Sequence, residues 1–96
     1  MKASEIASSA SDLVSGDRAD AYGDAVEGWQ RTADIWNAIL RAAGHNIIID
    51  AHTASLMMVG LKISRCFVGP FRADNYVDAA GYAALAGEIA SKEYLR

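Results

Sequence analysis

Apolar positions recur at helical spacing from one end of this chain to the other. Ser4 precedes Glu5, Ile6, Ala10, Leu13 and Val14, a stripe on one helical face, and Gly16 is a natural stop. A first helix is expected over about residues 4–15. The segment from Gly16 to Gly23 is charged, bracketed by glycines and longer than a minimal helix–helix turn, which suggests a role beyond connection. Asp24 can cap a second helix, with Glu27 at the spacing of a capping box. Val26, Trp29, Ala33, Trp36, Ile39 and Leu40 form its apolar stripe, and Gly44 ends it.

Asn46-Ile47-Ile48-Ile49 is β-branched but has no partner strand elsewhere, so it reads as an extended linker that packs its isoleucines. Asp50 or Thr53 opens a third helix. Leu56, Met57, Val59, Leu61, Ile63 and Phe67 make it apolar almost all round, which predicts the central position. Val68-Gly69-Pro70-Phe71 breaks the chain, because Pro70 cannot continue a helix. A fourth helix, rich in alanine and glycine, is expected from near Asp74 to about Tyr94. A glycine inside a helix costs about 1 kcal/mol against alanine, so Gly60, Gly81 and Gly87 are expected to permit close helix contacts. The pattern shows no repeat and no internal boundary. It predicts an all-α fold, a compact bundle of about four helices forming a single helical domain over residues 1–96.

Composition sharpens this. A chain of 96 residues buries only about 60–65% of its unfolded surface, so a homo-oligomer is expected to supply further core. With 52% hydrophobic and 22% charged residues, disorder is excluded. The net charge of −3 argues against binding nucleic acid or an anionic membrane. The single cysteine, Cys66, can form no internal disulfide and no cysteine metal cluster. The opening Met1-Lys2-Ala3-Ser4-Glu5 lacks the apolar core of a signal peptide, no run is long enough to span a bilayer, and the expected location is the cytoplasm.

Candidate chemistry concentrates on the third and fourth helices. Lys62 and Arg65 share a face at i, i+3, while Asp74, Asp78 and Tyr82 share another at i, i+4, i+8. If these helices are antiparallel neighbours the cations meet the carboxylates, either as a structural ion-pair ladder or as part of a ligand site. Asp24 and Glu27 can cap and complement the dipole of the second helix, or can serve as magnesium ligands. Asp17, Arg18 and Tyr22 sit in a glycine-flanked loop where an arginine suits phosphate recognition. His45 and His52 lack the neighbours of a zinc site, Cys66 reads as a buried inert thiol, and the serines lack triad partners. Trp29 and Trp36 read as core before they read as a base-stacking platform.

In their order and spacing, Leu13-Val14-Ser15-Gly16-Asp17-Arg18, Tyr22-Gly23, Trp36, Met57-Met58 with Leu61-Lys62 and Arg65, Asp74, and Asp78 with Ala80-Gly81-Tyr82-Ala83 resemble a family of small phage and prophage proteins of unknown function. That resemblance extends over about residues 5–89 and, more distantly, to MazG-like all-α nucleotide pyrophosphohydrolases. It implies a MazG-like helical bundle, dimeric or higher, with a nucleotide pocket between helices. The family pattern His-x-Asp-Ser is here Arg72-Ala73-Asp74-Asn75, which puts Arg72 in place of the histidine as a cation. Of the two glutamate-rich pairs of MazG proteins, Asp24 and Glu27 match the first loosely and the second has no clean counterpart.

The expected function is therefore a non-catalytic binder that sequesters a nucleotide-derived molecule, such as a host immune signal, with no cofactor. Arg18, Lys62, Arg65 and Arg72 would hold phosphates, Tyr22, Tyr82 or Trp29 would stack on a base, and Asp74 and Asp78 would complete the site. One alternative is a magnesium-dependent nucleoside triphosphate pyrophosphohydrolase using Asp24, Glu27, Asp74 and Asp78. Another is a host-protein-binding inhibitor anchored by Phe67, Phe71 and Tyr94.

Overall fold

The computed structural model describes residues 1–16 and 24–93. Four α-helices account for most of them: α1 (Ala3–Val14), α2 (Ala25–Ala42), α3 (Ala51–Arg65) and α4 (Ala73–Glu93). Among the described residues there is no strand. Each boundary has a local cause. The Asp24 carboxylate accepts a hydrogen bond from the Val26 amide at 2.7 Å, and that of Asp50 accepts from the Thr53 amide at 2.8 Å. Each thereby satisfies an amide that its helix leaves open. Gly44 and Gly69 adopt φ of 93° and 71°, a region closed to most side chains, where α2 and α3 give way to the connecting segments. The first helix starts one residue earlier than expected. Its cap position is Lys2, whose amide donates to the Glu5 carboxylate at 3.2 Å.

The centre of the fold is an antiparallel hairpin of α3 and α4, whose contacts run in opposite directions along the two helices. The Ser55 hydroxyl donates to the Tyr82 carbonyl at 2.9 Å, Lys62 meets Asp78, and the Asn75 side chain donates to the Arg65 carbonyl at 3.3 Å. Helix α1 packs on α4, and α2 packs mainly on α3. Gly81 lies directly against α1. A Cβ there would lie 3.4 Å from Val14 Cγ1 and 3.7 Å from Leu13 Cδ2. Among the described residues Gly60 and Gly87 have no such neighbour within 4 Å, so there the expected helix contact is seen at Gly81.

Residues 46–49 are the linker that the missing partner strand implies. What holds it is Asn37 of α2, whose amide nitrogen donates to the Ile49 carbonyl and whose amide oxygen accepts from the Ile49 amide, both at 2.9 Å. One side chain thus supplies both bonds that a neighbouring strand would have made. Ile47 and Ile48 do not pack inward as expected; both are exposed.

The interior is built from small side chains. Among the described residues the buried apolar ones are Ala10, Ala33, Ala51, Ala54, Ala86 and Ile89, joined by the Ser55 hydroxyl side chain. The third helix is accordingly central but not enclosed. Its Ala51, Ala54 and Ser55 are buried, Ser55 on the hairpin seam, while Leu56, Met57, Leu61 and Ile63 are exposed. With α1 docked on α4 rather than α3, no described element covers that outer face.

Candidate functional site

Lys62 lies on the inner face of α3 one turn before its end, pointing at α4. Its Nζ is 3.0 Å from Asp78 Oδ2, with the two side chains 15% and 29% exposed. This is the one ion pair among the described residues that joins two helices; the other, Lys92 with Glu88, spans a turn of α4 at the surface. Placing a cation on a largely buried seam is costly unless it is paired, and Asp78 supplies the counter-charge here. Asp78 also faces the other way. With Leu13, Val14, Gly81, Tyr82 and Leu85 it lines a cleft of about 110 Å³ between α1 and α4.

Tyr82, one turn beyond Asp78, is half-buried and forms a wall of the same cleft. Its ring meets Trp29 of α2 edge to face, with centroids 5.7 Å apart and planes at 85°. That geometry is favourable for aromatic pairs and fixes the tyrosine ring from behind. Ser55 below it fixes the backbone through the Tyr82 carbonyl. Three helices therefore hold the two cleft residues that sequence singles out, Asp78 and Tyr82.

The other candidate residues are placed differently. Arg65, Arg72 and Asp74 are exposed near the α3–α4 turn, and Arg65 does not pair with Asp74. The expected ladder is thus a single rung. Asp24 works as a helix cap, and the reciprocal bond from Glu27 expected of a capping box does not form. Among the described residues, no three His, Cys, Asp or Glu side chains are grouped as a metal site. Arg18, Tyr22 and Tyr94 lie outside the described residues.

Cys66 is half-buried at the end of α3, and its thiol donates to the Lys62 carbonyl at 3.2 Å. It also interacts with Tyr76. A thiolate there opposes a second negative charge on the phenol, and a side-chain hydrogen bond and slight desolvation add to the effect, so Tyr76 titrates above its ordinary value. Tyr76 stacks on Phe71 with centroids 5.8 Å apart. Sequence reading missed both this cluster and the Asn37 clamp. The signal for Asn37 was a residue of poor helix propensity inside an apolar stripe.

Comparison with known proteins matches residues 5–90 to the family described as Domain of unknown function (DUF6378), and the chain belongs to that family. It is 36% identical over 78 residues to the Gene 55 protein of Mycobacterium phage L5, an alignment covering 81% of this chain and 47% of the relative. The chain thus spans about half the length of the curated relative it matches. The phage-type family expected from sequence is therefore shown, as is the all-helical bundle. No solved structure matches the chain. No helix among the described residues is long and apolar enough to cross a membrane.

Proposed function

We propose that this phage-type member of the DUF6378 family binds a nucleotide-derived small molecule in the host cytoplasm and sequesters it without catalysis. The observation that carries the reading is the Lys62–Asp78 pair, mostly withdrawn from water, with its carboxylate on the wall of a cleft. A purely structural pair of this kind contributes little stability against an apolar replacement, whereas one that faces a cavity can orient a ligand. The carboxylate suits ribose hydroxyls or base amino groups, which donate hydrogen bonds, and Lys62 holds it in place. Tyr82 offers a ring wall beside it. The phosphates of such a ligand would reach the exposed Arg65 and Arg72 near the α3–α4 turn, with Arg18 and Tyr22 as further contributors and Asp74 as a second acceptor.

The cleft of about 110 Å³ is smaller than the roughly 300–1,000 Å³ of small-molecule sites, so it accommodates one part of a nucleotide and not the whole. The binding reading ranks above a magnesium-dependent MazG-like pyrophosphohydrolase because Lys62 and Asp78 meet beside a cleft, whereas the Asp24 carboxylate is engaged as a helix cap. Thermal unfolding across nucleotides, cyclic nucleotides and ADP-ribose derivatives, with and without magnesium, tests the proposal. A ligand that binds only the folded chain adds about 2.7 kcal/mol at a hundredfold excess over its dissociation constant. The expected result is a magnesium-independent shift that Arg65→Met and Asp78→Asn reduce. A shift retained in both variants would remove these residues from the site.

A further inference from the structure

The outer face of α3 bears an apolar arc that no described part of the chain covers. Leu56, Gly60 and Ile63 recur at i, i+4 and i+7 on α3, away from the seam residues Ser55 and Lys62, and Phe67 follows just past the helix end. Met57 flanks the arc, and Val68 and Phe71 continue the apolar surface through the turn that follows α3. Leu56, Met57, Ile63, Phe67, Val68 and Phe71 are each between 44% and 85% exposed. At about 200 Å² for a fully exposed side chain of this size they present roughly 700 Å² of surface. The largest apolar patch on an ordinary monomer is about 300–600 Å².

We propose that this face is an isologous docking surface for a second copy of the same chain. Two faces of this size bury about 1,400 Å² together, within the roughly 1,200–2,000 Å² of a stable dimer. Charge selects the occupant. Between Thr53 and Ser64 the only charged residue is Lys62, and it is turned inward to Asp78, so the helical part of the outward face is uncharged, while Arg65 and Arg72 are exposed where it meets the turn. A twofold axis near the middle of α3, with the two helices antiparallel, sets the uncharged part against itself and puts the arginines of the two copies at opposite ends of the contact. The middle of the arc is Gly60, where an added Cβ meets nothing within 4 Å among the described residues. Its glycine lets two α3 helices approach closely at the axis, a reason for a mid-helix glycine that the single chain does not supply. Among the described residues the interior is also short of large side chains, the buried apolar ones being five alanines and Ile89.

The 96-residue chain is tested by sedimentation equilibrium from about 1 to 100 µM, a range suited to interfaces of this size. The expected mass is twice the 10.2 kDa of the chain, falling to the single-chain mass in Ile63→Lys with helix content unchanged. A second measurement needs no destabilising charge: Gly60→Cys in a Cys66→Ser background, under mild oxidant, is expected to cross-link two copies, and Gly87→Cys in the same background is not. Gly87 is equally open, so the comparison reads the face and not cysteine exposure. A single-chain mass throughout the range overturns the proposal and assigns the face to a different protein. A dimer that survives Ile63→Lys, or cross-links at position 87 instead of 60, overturns the choice of face.

Discussion

Lys62→Met is the perturbation that separates packing from pairing in the hairpin. Methionine keeps the unbranched stem and a similar helix propensity, so the substitution chiefly removes the charge 3.0 Å from Asp78. Breaking a fully buried pair costs about 3–5 kcal/mol, and an exposed pair is worth about 0–1 kcal/mol. With side chains 15% and 29% exposed, and with Asp78 open to water through the cleft, the pair lies between these limits. A cost of about 1–2 kcal/mol is expected for Lys62→Met, which lowers the thermal midpoint by roughly 4–15 °C for a domain of this size. Asp78→Asn is expected to cost a similar amount, because it leaves the ammonium without its counter-charge. The two changes share one interaction, so the double variant should cost clearly less than the sum of the singles. Urea unfolding of all four proteins at one concentration measures this. Additivity within about 0.3 kcal/mol would refute the reasoning, since it would mean that the two side chains do not interact in solution.

Asn37→Ala removes both bonds to Ile49 and should destabilise the fold by about 1–3 kcal/mol, read by urea unfolding; Asn37→Asp, which keeps an acceptor but sets it against the Ile49 carbonyl, should recover little of that loss. Gly81→Leu places a side chain against Val14 and Leu13 in the α1–α4 cleft and is expected to occlude that cleft, read as loss of any ligand-induced thermal shift, whereas Gly87→Ala, with no described neighbour within 4 Å, should gain about 1 kcal/mol from helix propensity. Cys66→Ala should move the Tyr76 phenol down toward its ordinary value in an NMR-monitored pH titration. The sign for stability follows from that shift. Because the folded chain holds the Tyr76 proton to higher pH than the unfolded chain, the stability linked to it is present below pH 10.0, the ordinary value, and declines as pH rises through the folded value.

The helices were legible because punctuation and periodicity agree: Asp24 and Asp50 cap, while Gly44, Gly69 and Pro70 interrupt. The meeting of Lys62 with Asp78 was legible from spacing and a short connection. Arg65 and Asp74 were not separable from them in sequence, since shared faces do not say which residue points along the seam. The third helix misled for a physical reason. Apolar residues all round a helix report that all its faces avoid water, but not whether the cover comes from the same chain or another. The linker was recognised by its lack of a partner strand, and its anchor was not, because one asparagine carries no periodic signal. Of the candidate site, the part on α3 and α4 is described, and Arg18 and Tyr22 lie outside the described residues.

The most direct test of the binding proposal is retention and recovery. The chain is incubated with nucleotides, cyclic nucleotides and ADP-ribose derivatives, separated from free ligand, denatured, and the released molecules are identified by mass spectrometry. The account predicts that one of these classes is retained with or without magnesium, is recovered chemically unchanged, and is lost when Asp78 and Arg65 are replaced. Retention of none, or recovery of a cleaved product that requires magnesium, would contradict it.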